Sequence, residues 1–319
     1  MAIPAEPYYS YRRYLRERYG VPVYRVAVDA GFSCPHRGAD RDAPGCAYCG
    51  PEGARAPYQE RADGLPEQIR GALAFLKKRY GAKEFLLYFQ AFSNTNAPVD
   101  RLRGIYDRGL ACADFRELVV STRPDCVDPE KAALLASYKT DRRDVWVELG
   151  LQSFHDRTLA RVNRGHTAGD FQRAYALCRE RGLKICVHLI FGLPGEGRPE
   201  IEVSIRRLAA LRPDGVKIHN LHVVAGTRLA DEYAAGRVPV PDAAGHLENV
   251  IAALELLGPE TVIMRLVCDT PPGRLIAPRD FPDKQKFLAL VAAEMLRRGT
   301  RQGKNAAGLL DGAGPLELG

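Results

Sequence analysis

The chain has a single tryptophan, three methionines and no apolar run near the ~20 residues that a membrane-crossing helix needs. That argues against a helical membrane protein. The stretch from Met1 to Gly20 also lacks an apolar core followed by small residues, which is the mark of an exported precursor. A cytoplasmic location, with no membrane partner, is therefore expected. In that reducing compartment the eight cysteines are not expected to form disulfides, and a chain of 319 residues buries enough core to need none. Acidic charge is in short supply: the formal net charge is +7 and the pI about 9.0. A polyanionic partner is compatible with this balance. Much of the excess lies near the start, where Tyr8, Tyr9, Tyr11, Tyr14 and Tyr19 alternate with Arg12, Arg13, Arg16 and Arg18. Such a segment either stacks on bases and contacts phosphates, or docks its tyrosines as a helix and leaves its arginines in water. The sequence leaves both open.

From Val23 onward, apolar runs rich in β-branched residues alternate with helical periodicity, the pattern of repeated βα units and a parallel sheet. Strands are expected at Val23 to Asp29, Glu84 to Gln90, Glu117 to Thr122, Val145 to Gln152, Lys184 to Phe191 and Gly215 to Val223. The expected fold is α/β, a partial parallel (β/α)6 TIM-like barrel with a small appended C-terminal α+β region. Its expected divisions are a basic, aromatic N-terminal extension over 1–22, the barrel over 23–224, a covering region over 225–298 and a mobile tail over 299–319.

Three cysteines stand apart from the rest. Cys34, Cys46 and Cys49 share one loop after the first strand, with eleven residues in the first gap and Ala47 and Tyr48 in the second. Three thiolates on one loop suit a four-iron cluster that keeps one iron open. They also suit a structural zinc with His36 as fourth ligand. Loops at the carboxyl ends of barrel strands converge on one face, so a site is expected there. Glu148 and Gln152, four apart near the end of the fourth strand, share a side if the segment stays extended. Lys217 ends the sixth strand and faces either a substrate or a carboxylate; Arg265 and Asp269 either pair, which is expected, or contact a substrate.

These stretches resemble the radical S-adenosylmethionine (radical SAM) superfamily. The likeness rests on the cysteine loop, on Gly150-Leu151-Gln152-Ser153-Phe154, on Asn163-Arg164-Gly165-His166 and on His188 to Glu196. The runs Asp29 to Pro35, Tyr88-Phe89-Gln90 and Leu275-Ile276-Ala277-Pro278 bring it closer to the YhcC/YtqA-like group, which is similar to the radical SAM part of the Elongator catalytic subunit. The usual first gap of the family is three residues, and the long gap here matches the Elongator branch. The resemblance implies a [4Fe-4S] cluster on Cys34, Cys46 and Cys49 and SAM as cofactor. It implies that Tyr48 packs near the adenine, that Glu148, Gln152, Arg164 and His166 approach the ribose or methionyl group, and that Gly192 and Leu193 receive the adenine on their backbone. Gln90, Ser93 and Asn94 stand where the family contacts the methionyl amine, though without its usual glycines and glutamate. Reductive cleavage of SAM to a 5'-deoxyadenosyl radical is the implied activity, with a flavodoxin or ferredoxin as electron donor. A tRNA or other RNA is the implied substrate; a small metabolite and a non-catalytic metal scaffold are the alternatives. A monomer is expected.

Overall fold

The structure is a computed structural model that describes residues 6–307 except 39, 41–42, 51–52, 54–63 and 272. Its helices are α1 (Tyr11–Tyr19), α2 (Leu65–Tyr80), α3 (Val99–Leu110), α4 (Pro129–Ser137), α5 (Asp156–Arg161), α6 (Ala168–Glu180), α7 (Arg198–Ala210), α8 (Arg228–Ala234), α9 (Ala243–Leu256) and α10 (Lys284–Arg297). The strands are β1 (Val23–Val28), β2 (Glu84–Phe89), β3 (Phe115–Thr122), β4 (Asp144–Gln152), β5 (Lys184–Phe191), β6 (Gly215–Asn220), β7 (Val223–Val224), β8 (Val262–Arg265) and β9 (Leu275–Ala277).

Seven strands form one parallel sheet in the order β1-β2-β3-β4-β5-β6-β8, curled as a partial barrel. Its strands are nearly unbroken apolar runs because both faces are covered. Outward residues such as Leu87, Val120, Val147, Val187 and Ile218 pack on the helices in the main core. Inward residues Leu86, Tyr88, Val119, Trp146 and Cys186 form a second core inside the barrel. Local signals set the helix ends: Asp128 accepts from the Lys131 amide at the start of α4, and Thr167 and Asp170 form a capping box on α6.

The structure refines or decides four expectations. First, the sheet has a seventh strand: β8, from the region expected to cover the barrel, pairs in parallel with β6 (Gly215↔Val262, Val216↔Ile263). The region after residue 224 therefore builds the barrel as well as covering it. Second, the sixth expected strand divides, because β6 stops at Asn220 and β7 pairs antiparallel with β9.

Third, the N-terminal tyrosines are not a stacking surface. The Tyr11 hydroxyl donates to Glu117, the Tyr14 ring meets Trp146 edge-on at 5.7 Å, and the Tyr19 hydroxyl donates to Asp144 at 3.2 Å. Lys184 joins Tyr14 and Asp144 at 2.7 and 2.8 Å. Asp144 and Lys184 begin their strands and Glu117 lies near the start of its own, so α1 plugs the amino end of the barrel, opposite the cysteine loop. Arg12, Arg13 and Arg16 stay exposed.

Fourth, the described part of the expected mobile tail is docked. Gln302 is 5% exposed, and its amide donates to the carbonyls of Gly258 and Thr261 while accepting from the Tyr9 amide at 2.8 Å. Residues 308–319 and 1–5 lie outside the described residues.

Candidate functional site

The chain leaves β1 through Gly31, whose φ of +77° suits a residue without a side chain and whose amide donates to Asp29. This turn carries Cys34 to within 3.5 Å of the Ser93 hydroxyl. The Cys46 to Cys49 segment is fixed from outside: the Ala47 amide donates to Val162, and Ala47 accepts from Leu229 of α8, both at 2.9 Å. Arg37 donates to the Gly50 carbonyl at 2.9 Å. All three sulfurs thus hang from backbone tied to β1, α5 and α8.

Their electrostatics differ. Burial pushes the Cys46 thiol up, but the Arg164 guanidinium and His36 outweigh it and bring it to about 6. Cys49 is pushed up to about 11, by burial first and then by the neighbouring Cys46 charge. A second thiolate beside the first needs added positive charge, which an iron cluster supplies. The spacing of the sulfurs favours the larger iron cluster over a single zinc. In a tetrahedral thiolate site with Zn–S near ~2.3 Å, sulfurs stand about 3.8 Å apart. Among the described residues, the three loop sulfurs are not all within 4.8 Å of one another, a wider spacing than one tetrahedral zinc takes. His36 stands between Cys46 and Arg123, 2.6 Å from the latter. A Cβ on Gly165, at φ +71°, would fall 2.0 Å from the His36 ring, so this glycine lets the two loops close.

Arg164 is the hub above β4. Its Nη1 lies 3.5 Å from the Cys46 sulfur and its Nη2 donates to the Gly150 carbonyl at 2.6 Å. Its Nε donates to His166 Nε2 at 2.9 Å. Burial and the same guanidinium lower His166 to about 4, so its ring is neutral and Nδ1 donates to the Thr167 carbonyl. His166 therefore braces Arg164. Gln152 departs from the extended pattern, since its φ is +77° and the β4–β5 register shifts between Gly150 and Gln152. Its amide still returns to the inner side: Gln152 Nε2 and Arg164 Nη2 lie 2.9 and 2.7 Å from where a Gly150 Cβ would stand. Tyr48 comes to the same place, and its buried hydroxyl has no partner among the described residues.

At the end of β2, Ser93 and Asn94 are fully buried. The Asn94 amide donates to Phe89 and Ser121 at 3.0 and 2.8 Å, which ties β2 to β3, and its Oδ1 is left without a partner among the described residues. A buried lone acceptor beside the cysteine loop suits an ammonium group. Gln90 is half-buried, with its amide on the Val28 carbonyl. After β5, Gly192 (φ +85°) lies so close to Pro241 that a Cβ would fall 2.4 Å from it, and Leu193 is buried. The cradle expected at Gly192 is thus packed on one side by the C-terminal region.

Glu148 lies deeper, in the lumen. It accepts from Tyr88 at 2.6 Å, from Lys217, and from His188 at 3.1 Å. Burial works against its charge, but Lys217 and His188 hold it well below the usual carboxylate range. Lys217 is drawn down to about 8 by burial, against the pull of Glu148 and with Arg25 adding to the fall. The structure thus pairs Glu148 with Lys217, two residues before the Gly150 carbonyl that Arg164 holds. Sequence reasoning missed Tyr88 here, although its place on an inward-facing β2 position was a usable signal. The expected Arg265–Asp269 pair does not form among the described residues.

A half-open parallel barrel with three loop thiolates, a buried guanidinium at one of them and lone buried acceptors nearby defines an enzyme of the radical SAM class, which holds a [4Fe-4S] cluster and SAM. Residues 33–208 match the model of the Radical SAM superfamily and residues 213–297 that of the Radical_SAM C-terminal domain; the chain belongs to this superfamily. Within it the chain falls in the YhcC/YtqA-like group. It is 35% identical to protein MJ0486 of Methanocaldococcus jannaschii over 92% of this chain and 91% of that one. It is 33% identical to YtqA of Bacillus subtilis (93% and 92% covered) and 37% identical to YhcC of Escherichia coli K12 (83% and 84%). Among solved structures, the archaeal Elp3 of Methanocaldococcus infernus superposes with a TM-score of 0.66 at 22% identity, covering 75% of this chain and 60% of that chain.

Proposed function

We propose that this radical SAM enzyme modifies an RNA, with tRNA as the substrate class. The observation that carries this reading is a relative named tRNA uridine(34) acetyltransferase, from Dehalococcoides mccartyi, which is 35% identical over 191 residues. That match spans 58% of this chain and 37% of the relative, so what is shared is a part of that protein. A physical feature supports it. Arg12, Arg16 and Arg25 line a cavity of about 520 Å³ with Tyr24 and Leu86, at the β1 edge where the barrel is open. Arg12 and Arg16 are exposed there and are placed to meet phosphates.

Cys34, Cys46 and Cys49 would hold the cluster, and Arg164, braced by His166, would hold the methionyl carboxylate near Cys46. Asn94 Oδ1 and Ser93 would meet its amine, Gln152 the ribose, and Tyr48, Gly192 and Leu193 the adenine. When bound and reduced, the cluster with SAM supplies a 5'-deoxyadenosyl radical, which takes a hydrogen atom from the substrate. The chain's own part is to orient these groups and keep water out of the lumen. A flavodoxin or ferredoxin donates the electron, and the enzyme works as a cytoplasmic monomer.

The test is anaerobic turnover with dithionite and SAM, with and without total tRNA. Formation of 5'-deoxyadenosine that tRNA accelerates, together with a mass change in a tRNA nucleoside, is expected. Absence of tRNA binding at low salt overturns the RNA reading. Charge reversal of Arg12 and Arg16 is expected to weaken that binding and flatten its salt dependence.

A further inference from the structure

The inner wall between β6 and β8 carries more positive charge than its own side chains answer. Lys217 and Arg265 are ladder partners on these strands. Lys217 points into the lumen, because its ammonium reaches Glu148 on β4 and lies 3.2 Å from the Tyr88 hydroxyl on β2. Glu148 answers Lys217. Arg265, half-buried beside it, has no hydrogen bond or ion pair among the described residues. Lys284, exposed at the first turn of α10, has its charge disfavoured by partial burial first and then by Arg265 and Arg25, while Asp269 lends it partial support. The His219 ring lies two residues beyond Lys217 on the same strand and stacks 5.9 Å from His188. Its Nε2 is buried with no partner among the described residues.

We propose that Arg265 and His219, with the exposed Lys284 at the mouth, form a subsite for an anionic group of the substrate, a phosphate or a carboxylate, in the lumen at the carboxyl end of β8. A guanidinium offers several N–H donors in one plane, a neutral imidazole offers one more, and the ammonium supplies a point charge; an oxyanion accepts from all three. A partly desolvated guanidinium beside a like charge is costly unless an anion completes it. The neighbouring Glu148 cannot serve, since Lys217, Tyr88 and His188 already occupy its oxygens. The inward direction of the ladder places the subsite in the same lumen as Glu148, reached from the rim that carries the cysteine loop. This deepens the function proposed above by naming a chemical group the substrate presents, yet its test needs neither RNA nor SAM.

The test is arginine-selective labelling of the cluster-loaded protein with phenylglyoxal under anaerobic conditions, read peptide by peptide by mass spectrometry. Inorganic phosphate and acetate serve as separate probes, and the exposed Arg101 on α3 is the internal reference. Saturable slowing of Arg265 labelling by at least one anion, with Arg101 unaffected, is expected. In Lys284→Gln, checked for folding by its melting curve, the half-protecting concentration should rise about tenfold. Protection by phosphate alone assigns a phosphoryl group, and stronger protection by acetate assigns a carboxylate. Failure of both anions, equal slowing of Arg101, or protection unchanged in Lys284→Gln overturns the subsite. None of these outcomes depends on tRNA, so the RNA reading stands or falls separately.

Discussion

Arg164 donates from Nε to His166 Nε2 at 2.9 Å, a bond that only a neutral imidazole can accept. The histidine is thus the support that aims a buried guanidinium at the Cys46 sulfur. Removing such a support loosens the group it orients, by about ten- to a hundredfold in affinity where measured for ligand-supporting residues. His166→Gln is accordingly expected to load iron normally and to raise KM for SAM about tenfold, with a smaller loss in kcat. Steady-state 5'-deoxyadenosine formation checks this; an unchanged KM would show that Arg164 holds its place unaided.

The Glu148–Lys217 pair is buried on both sides, each side chain being 2% exposed. Lys217→Met should therefore cost about 3 to 5 kcal/mol, because it leaves a carboxylate in the lumen without its cation. Adding Glu148→Gln to that variant should recover most of the loss. Urea denaturation of the four proteins in this cycle measures the coupling, and additive effects would falsify the pairing.

Cysteine chemistry separates ligands from packing. Cys34→Ser, Cys46→Ser and Cys49→Ser should each lose most of the reconstituted iron and sulfide. Cys186→Ser should keep both, because that thiol is fully buried within the barrel and held protonated well above its ordinary value by burial and by Glu148. Iron and sulfide assays with electron paramagnetic resonance of the reduced proteins decide the matter.

Acid should weaken the fold earlier than carboxylates alone would. His166, His222 and His246 are each lowered to about 4, chiefly by burial. As pH falls, the unfolded chain binds protons near pH ~6.5 while the folded chain does not. Stability is then complete above about pH 6.5 and declines toward pH 4, at up to about 1.4 kcal/mol per pH unit for each histidine. Urea melts between pH 7 and 5 should show this slope, and His246→Phe, set among Phe191, Phe281 and Phe287, should reduce it. A flat profile over that range would refute the assignment.

Much of the fold could be read from residue patterns because it is local. The βα alternation and the capping signals at Asp128 and Thr167 act within a few residues. So did the cysteine loop, whose spacing is its own signal. What escaped was non-local. Lys217 and Glu148 are 69 residues apart, and nothing near either one names the other. β8 is four residues long, too short for its periodicity to separate a sheet strand from an isolated one. The tyrosines of α1 escaped for a different reason. Rings alternating with arginines look the same whether they cap a barrel or meet bases, and only the positions of Glu117, Asp144 and Lys184 decide. Gln302, one polar residue among several between Gly299 and Asn305, gave no sign of the three backbone partners it holds.

Tyr9 and Gln302 meet at 2.8 Å, and Ser10 bridges to Ile263 on the open edge of β8. During translation the opening helix thus finds the bulk of its seat on Glu117, Asp144 and Lys184 by mid-chain, whereas the two residues before it gain their partners only once Ile263 and Gln302 have been made.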